Sequence, residues 1–300
     1  MTRPLYLDCS PFMAEQLAIT CPDHAEKLDL YMGDPDAAQI PGLAAGRKVL
    51  LNGHTFMDVD LLAKLPDVER IIFLGTGATS YIDVAAANAR GITVDIIPGY
   101  GDRAVAEHAF ALMLAAARQI AVMDADLRAG RWLTRDGIEL GGRRLGVVGL
   151  GGIGREFARM ASAFGMEVVV WNRRPLTDCP WPQLPLDEVL GTADVVSLHL
   201  ALTDGTRGFL DADRIGRMRQ GAILVNTARA GLIDEAALID ALQRGHLGHA
   251  ALDVFEQEPL APDSPWPGMA HTTLTAHAGF KTPEASQRLI LQALRMAGLQ

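Results

Sequence analysis

The chain has 300 residues, 49% of them hydrophobic, and carries a formal net charge of −9 at pH 7. This is enough apolar material for one or two cores, and the usual domain size favours two. The acidic balance argues against a general nucleic-acid or anionic-membrane surface, because both require a net basic face. Cys9, Cys21 and Cys179 are far apart and form no CxxC pair, so neither a zinc site nor a disulfide framework is indicated. No metal is expected. The N-terminus MTRPLYLDCSPF lacks the apolar run of a signal peptide, and no stretch reaches the length of a membrane span. The expected setting is the cytoplasm, with neither membrane nor nucleic acid as partner.

In chain order, short runs rich in Val, Ile and Leu alternate with segments of helical period, the pattern of parallel strands joined by crossover helices. Expected strands are LYLDC, VLLNG, RIIFLG and TVDIIP in the first hundred residues. After them come LGVVGL, EVVVWN, DVVSLHL, AILVNTA, HAALDVF and TTLTAH. A long helix from about Arg103 to Arg118 separates the two groups, and its almost unbroken apolar body must be covered by the rest of the chain or by a partner subunit. The tail KTPEASQRLILQALRMAG reads as a final helix with Pro283 near its first turn. The expected fold is α/β, with two Rossmann-like domains built on parallel sheets. A substrate domain spans residues 1–98 and 278–300, and a dinucleotide-binding domain spanning 99–277 is inserted into it.

The first chemical signal is GLGGIG. Gly149, Gly151 and Gly154 form G-x-G-x-x-G after the strand LGVV and before the helical REFARMASAF. In that context the first glycine makes the turn, the second admits pyrophosphate to the backbone, and the third lets helix and strand pack. The helix N-terminus offers N–H groups to the phosphates. The next strand ends on Asn172, followed by Arg173 and Arg174, where a unit binding NAD commonly places an acid on the ribose hydroxyls. A carboxylate there repels a 2′-phosphate, whereas an amide can hydrogen-bond it and guanidiniums can pair with it. NADP(H) is therefore favoured over NAD(H).

The chain resembles the D-isomer-specific 2-hydroxyacid dehydrogenases, the family that includes D-glycerate, glyoxylate/hydroxypyruvate and phosphoglycerate dehydrogenases. The similarity runs from RIIFLGTGATSYIDVAAANARGITV through VAEHAFALMLAAAR and ELGGRRLGVVGLGGIGREFARMASAFGMEVVVWNRR to LHLALTDGTRGFLD, AILVNTARAGLIDEAAL, ALDVFEQEPL and TAHAGFKTPEA. These blocks stand in the family's order over more than two thirds of the chain, and the first sixty residues match poorly. Ala201 and Ala276 stand where the family often has proline, and Ala230 where it often has glycine.

The resemblance implies three catalytic residues. Arg229 in NTARAGLID matches the arginine that binds the 2-oxo acid's carboxylate and carbonyl, a task suited to a guanidinium fork. His277 in TAHAGF matches the general acid that protonates the carbonyl oxygen, and Glu258 in EQEPL the carboxylate that orients this histidine and favours its charged form. Thr76 and Gly77 fall in the family's substrate loop, where backbone N–H groups hold the carboxylate opposite Arg229. Thr227, Ala228 and Arg229 would line the nicotinamide ring, Asp253 would face its carboxamide, and Gly152 and Ile153 would adjoin the pyrophosphate. His54, His108, His199 and His271 read as structural.

The function implied is hydride transfer between NAD(P)H, preferably NADPH, and a small 2-oxo acid of the glyoxylate or hydroxypyruvate type, giving a D-2-hydroxy acid in a cleft between the domains. The long helix and the arm LRAGRWLTRDGIEL around Trp132 suggest a homodimer of the family's kind. The alternative is a dinucleotide-sensing regulatory protein of the same fold. Formate oxidation by a related fold has no independent support in the residues.

Overall fold

The structure, a computed structural model, describes residues 2–299. Two compact units result: unit 1 runs up to Gly101 and resumes at Lys281, and unit 2 is Asp102–Phe280. Both crossings lie three residues beyond the expected boundaries at 98 and 277, and hydrogen bonds explain why. The Ile97 amide is held by the Gly75 carbonyl, and the Tyr100 carbonyl by Arg288, which ties this segment to unit 1. On the return, the Asp253 carboxylate holds the amides of Ala278 and Gly279 in unit 2.

Unit 1 runs β1 (Leu5–Cys9), α1 (Pro11–Thr20), α2 (His24–Lys27), β2 (Asp29–Met32), α3 (Ile40–Ala44), β3 (Val49–Asn52), α4 (Val59–Leu62), β4 (Arg70–Phe73), α5 (Val84–Ala89) and β5 (Thr93–Asp95). Its sheet has the order β2-β1-β3-β4-β5, with every pair parallel. Alternate strand residues feed opposite faces: Leu7, Leu50 and Ile71 enter one core, and Tyr6, Leu51 and Ile72 the other. A sheet covered on both sides reads as continuous apolar runs, which is why these strands were legible. Strand β2, DLYM, was not expected. It is a half-exposed edge strand whose Asp29 binds Arg3 and Arg47, so no apolar run marks it.

Unit 2 runs α6 (Asp102–Ala117), α7 (Ile120–Arg128), β6 (Arg144–Val148), α8 (Gly152–Ala163), β7 (Glu167–Trp171), α9 (Leu186–Thr192), β8 (Val195–Leu198), α10 (Ala212–Arg217), β9 (Ile223–Asn226), α11 (Glu235–Gln243), β10 (His249–Leu252) and β11 (Thr272–Leu274). The parallel sheet order is β11-β10-β9-β8-β6-β7. The chain then returns to unit 1 as α12 (Pro283–Met296), capped by the Thr282 hydroxyl, which accepts from the Ala285 amide. Each sheet reverses its strand order once, at β1/β3 and at β6/β8, and ligands of such sheets bind outside the carboxyl ends at that point.

Helix α6 is covered by its own unit. Ala106, Ala109 and Met113 pack with Phe157, Ala158 and Ala161 of α8 and with Leu145 and Val225 of the sheet. Its apolar body therefore gives no argument for a partner subunit. The break after it, at left-handed Gln119, had no sequence signal. Beyond α7 the chain forms an irregular arm. Buried Asp126 accepts hydrogen bonds from Arg131 and Arg135, and Trp132 stands 84% exposed between them. No single helix among the described residues is long and apolar enough to cross a membrane.

Candidate active site

The glycine turn follows β6 directly. Gly149 has φ +96°, and a Cβ there would stand 2.7 Å from the His199 carbonyl oxygen. At Gly154 a Cβ would meet the Gly149 carbonyl oxygen at 2.2 Å, so both positions exclude a side chain. Gly151 differs in having only open space around its Cβ position. It begins α8 with no side-chain cap among the described residues, which leaves the helix's first amides available to an anion. These residues fit the phosphates of a dinucleotide. Gly152 faces Asp102, a residue with no sequence signal, whose carboxyl pKa is raised by burial and by the charge of Glu156. The Ile153 side chain packs partly against the core. His199 behind the turn is partly exposed and bonded to Ser197 Oγ at 2.9 Å, and desolvation by its surroundings pushes its pKa down to about 3, so it stays neutral.

At the end of β7 the Asn172 amide is already employed. Its Oδ1 accepts from the Leu150 amide at 3.2 Å, and its Nδ2 donates to the Arg174 carbonyl at 2.8 Å. Asn172 thus joins the glycine turn to the arginine loop. The exposed side chains of Arg173 and Arg174 make no hydrogen bond or ion pair among the described residues.

Beyond β9, Asn226 shapes the turn that carries Arg229. It accepts from the Ala228 amide at 3.0 Å and donates to the Arg229 carbonyl at 2.9 Å. Thr227 Oγ1 is buried without a partner among the described residues, a situation a bound ligand would resolve. Arg229 is half-buried, with Nη1 donating to the Ala228 carbonyl at 2.7 Å.

Glu258 and His277 come together from the segments beyond β10 and β11. His277 Nδ1 lies 2.6 Å from Glu258 Oε2, and Glu258 Oε1 accepts from the Phe255 amide at 2.9 Å. Because a carboxylate only accepts, Nδ1 is the donor and Nε2 is left to face a substrate. Burial raises the Glu258 carboxyl, but the His277 hydrogen bond, the Phe255 amide and the charges of His277 and Arg229 outweigh it, so its pKa is lowered. The carboxylate is therefore ionised at neutral pH.

Asp253 is bonded to the chain on every side. It is 1% exposed. Its Oδ1 accepts from Thr275 Oγ1 at 2.6 Å, from the Ala278 amide at 2.9 Å and from His108 Nε2 at 3.2 Å, while Oδ2 accepts from the Gly279 amide at 2.9 Å. Its carbonyl takes the His277 amide at 2.8 Å. Asp253 thus fastens the segment that holds His277 at φ +49°. His108, expected to be structural, is part of that fastening. Neither Asn226 nor this use of Asp253 was signalled by residue type, since both act through hydrogen bonds to backbone.

In unit 1, Thr76 and Gly77 lie in the loop after β4, and their amides donate to nothing among the described residues.

Two parallel α/β units, one bearing an open glycine turn and an acid–base pair at the same sheet edge, define the architecture of a nicotinamide-dependent dehydrogenase. The model of the D-isomer specific 2-hydroxyacid dehydrogenase NAD binding domain matches residues 110–279. The chain is 39% identical over 258 residues to the D-3-phosphoglycerate dehydrogenase of Mycobacterium tuberculosis, covering 83% of this chain and 48% of that protein. It is 35% identical over 280 residues to the hydroxypyruvate reductase of Thermotoga maritima, covering 92% and 88%. The crystal structure of a Thermus thermophilus protein superposes with a TM-score of 0.85 at 34% identity, covering 96% of this chain and 93% of that one. The chain belongs to the D-isomer specific 2-hydroxyacid dehydrogenase family. It spans about half the length of the phosphoglycerate dehydrogenases it matches.

Proposed function

We propose that the chain reduces a small 2-oxo acid to the D-2-hydroxy acid, using NADPH in preference to NADH. The observation that carries the reading is the 2.6 Å pair of His277 and Glu258, with Arg229 close enough for its charge to act on Glu258. Bound at the glycine turn, the nicotinamide dinucleotide supplies the hydride. The amides beginning α8 would hold its pyrophosphate, Asn172 with Arg173 and Arg174 its ribose and 2′-phosphate, and Thr227 and Ala228 its ring. Arg229 pairs with the substrate carboxylate through its fork and stabilises charge developing on the carbonyl oxygen. In unit 1, the open amides of Thr76 and Gly77 would accept a carboxylate. His277 gives its Nε2 proton to that oxygen, and Glu258 keeps the ring oriented and balances its charge. In the oxidative direction the neutral ring takes the hydroxyl proton back.

Purified protein assayed with glyoxylate, hydroxypyruvate and pyruvate against both reduced cofactors tests the reading. Turnover well above background supports it, and cofactor binding without turnover on any acid rejects it. For the cofactor preference, the double change Arg173→Ser and Arg174→Ser should raise KM for NADPH by about tenfold or more and leave KM for NADH within about twofold, because only NADPH presents a 2′-phosphate. Asn172→Asp should act in the same direction. Equal losses with both cofactors would sink the preference.

A homodimer fits the arm. Trp132, Leu133, Leu127 and Ile120 all stand exposed on α7 and the segment after it. Light scattering should give twice the chain mass, and Trp132→Ala with Leu133→Ala should return it to one. A native monomer at micromolar concentration would reject the assembly.

A further inference from the structure

The carboxyl edge of the unit 1 sheet is where its loops could meet a ligand, and at its strand-order reversal the anion-accepting amides are already filled by the chain itself. At the β1/β3 reversal, the amides of Gly53, His54 and Thr55 all point at the buried Asp8 carboxylate, each at 2.7 Å. The Thr55 hydroxyl joins them at 2.8 Å. The α4 and α5 N-termini are capped by Asp58 and Asp83, and that of α1 by Ser10. The loops following the five strands, residues 10, 33–39, 53–58, 74–83 and 96–101, contain no lysine or arginine. Their one titratable cation, His54, has Nε2 on Asp34 at 2.7 Å and Nδ1 at 3.6 Å from Asp8, so two carboxylates already claim it.

In the loop after β4 the amides of Thr76 and Gly77 stay open among the described residues. That loop is fastened to the one after β3, because the Met57 amide bonds to the Tyr81 carbonyl at 2.7 Å and the Asp83 amide to the Met57 carbonyl at 2.9 Å. The loop after β3, so fastened, presents Phe56, 64% exposed, and the half-exposed ring of His54.

We propose that unit 1 selects 2-oxo acids carrying a single anionic group and a short uncharged substituent, with His54 and Phe56 as the specificity-determining residues that meet the substituent. This rests on the reading that the chain reduces 2-oxo acids. The 76–77 amides accept one carboxylate. A phosphate or second carboxylate on the substituent finds no lysine or arginine within these five loops, finds the Gly53–Thr55 amides already taken by Asp8, and meets the exposed charge of Asp34 instead. The substrate class thus departs from that of the phosphoglycerate dehydrogenases which the chain matches.

Kinetics with hydroxypyruvate and with 3-phosphohydroxypyruvate test the selection. The phosphorylated acid should have a kcat/KM lower by about 100-fold or more. His54→Arg, and separately Phe56→Arg, place a permanent cation on an exposed position of a fastened loop. Each should raise kcat/KM for the phosphorylated acid by about tenfold, through KM, with KM for NADPH unmoved. A parallel calorimetric titration uses the chain saturated with NADPH, where D-glycerate and 3-phospho-D-glycerate can bind but not react. D-glycerate should bind more tightly. If neither 2-oxo acid is turned over but D-glycerate is still preferred, the reaction assigned above falls and the selection stands. Use of the phosphorylated acid within tenfold of hydroxypyruvate overturns the proposal, as does equal or tighter binding of 3-phospho-D-glycerate. Arginine variants that both leave the phosphorylated acid unimproved overturn the assignment to His54 and Phe56.

Discussion

Replacing His277 by alanine should lower kcat for 2-oxo acid reduction by about 10²–10⁴-fold, the usual worth of a positioned general acid. NADPH affinity should stay within about twofold, because the glycine turn and the arginine loop are untouched. The partner carboxylate gives the sharper test. Glu258 stays ionised at neutral pH, its carboxyl raised by burial but lowered overall by His277, the Phe255 amide and Arg229. Its negative charge favours the protonated ring. Reduction needs that proton, so its rate falls as pH rises, and Glu258→Gln should move the falling limb to lower pH. Oxidation needs the neutral ring, and its rising limb should move the same way. The difference between wild type and variant should shrink at acid pH, as the wild-type carboxylate takes up its own proton. Profiles that coincide, with chemistry rate-limiting, would remove Glu258 as the partner of His277.

Arg229→Lys should reduce kcat/KM for the 2-oxo acid by about 10²–10³-fold while sparing NADPH binding. Lysine keeps the charge but presents a point rather than a planar fork, and it loses the second hydrogen bond to carboxylate and carbonyl. The lost contact belongs to both ground state and transition state, so KM should rise and kcat fall together. Steady-state kinetics at saturating NADPH separates the two. Near-normal turnover would mean that another group anchors the carboxylate.

The parts of the site that were legible in the sequence are those whose chemistry demands a residue type. A tight turn needs glycine at 149 and close packing needs it at 154, while the proposed carboxylate anchor and proton donor, Arg229 and His277, were marked by the family resemblance of their blocks. The strands were legible because both sheets are covered on two faces, so LGVV and EVVVW read as unbroken apolar runs. The hidden parts act through backbone. Asn226 and Asp253 look like ordinary polar residues after a strand until their partners, the amides of 228, 278 and 279, are brought beside them. For Asp253 a family position implies a cofactor contact, but not the backbone amides that its carboxylate holds. Edge strand β2, half-exposed and tied by Asp29, lacks the apolar signature that marks its neighbours.

In the proposed reaction the proton donor, its carboxylate and the arginine all hang from unit 2, beyond β9, β10 and β11. Unit 1 contributes a run of amides and the loop of His54 and Phe56. Chemistry and choice of substrate are thereby written in separate stretches of the chain, the second mostly within its first hundred residues. Descendants of one ancestor can revise those residues for a new metabolite while inheriting the acid–base apparatus intact. Divergence should accordingly be concentrated before Asp102, and a chimera that exchanges unit 1 loops should change what is reduced without relearning how.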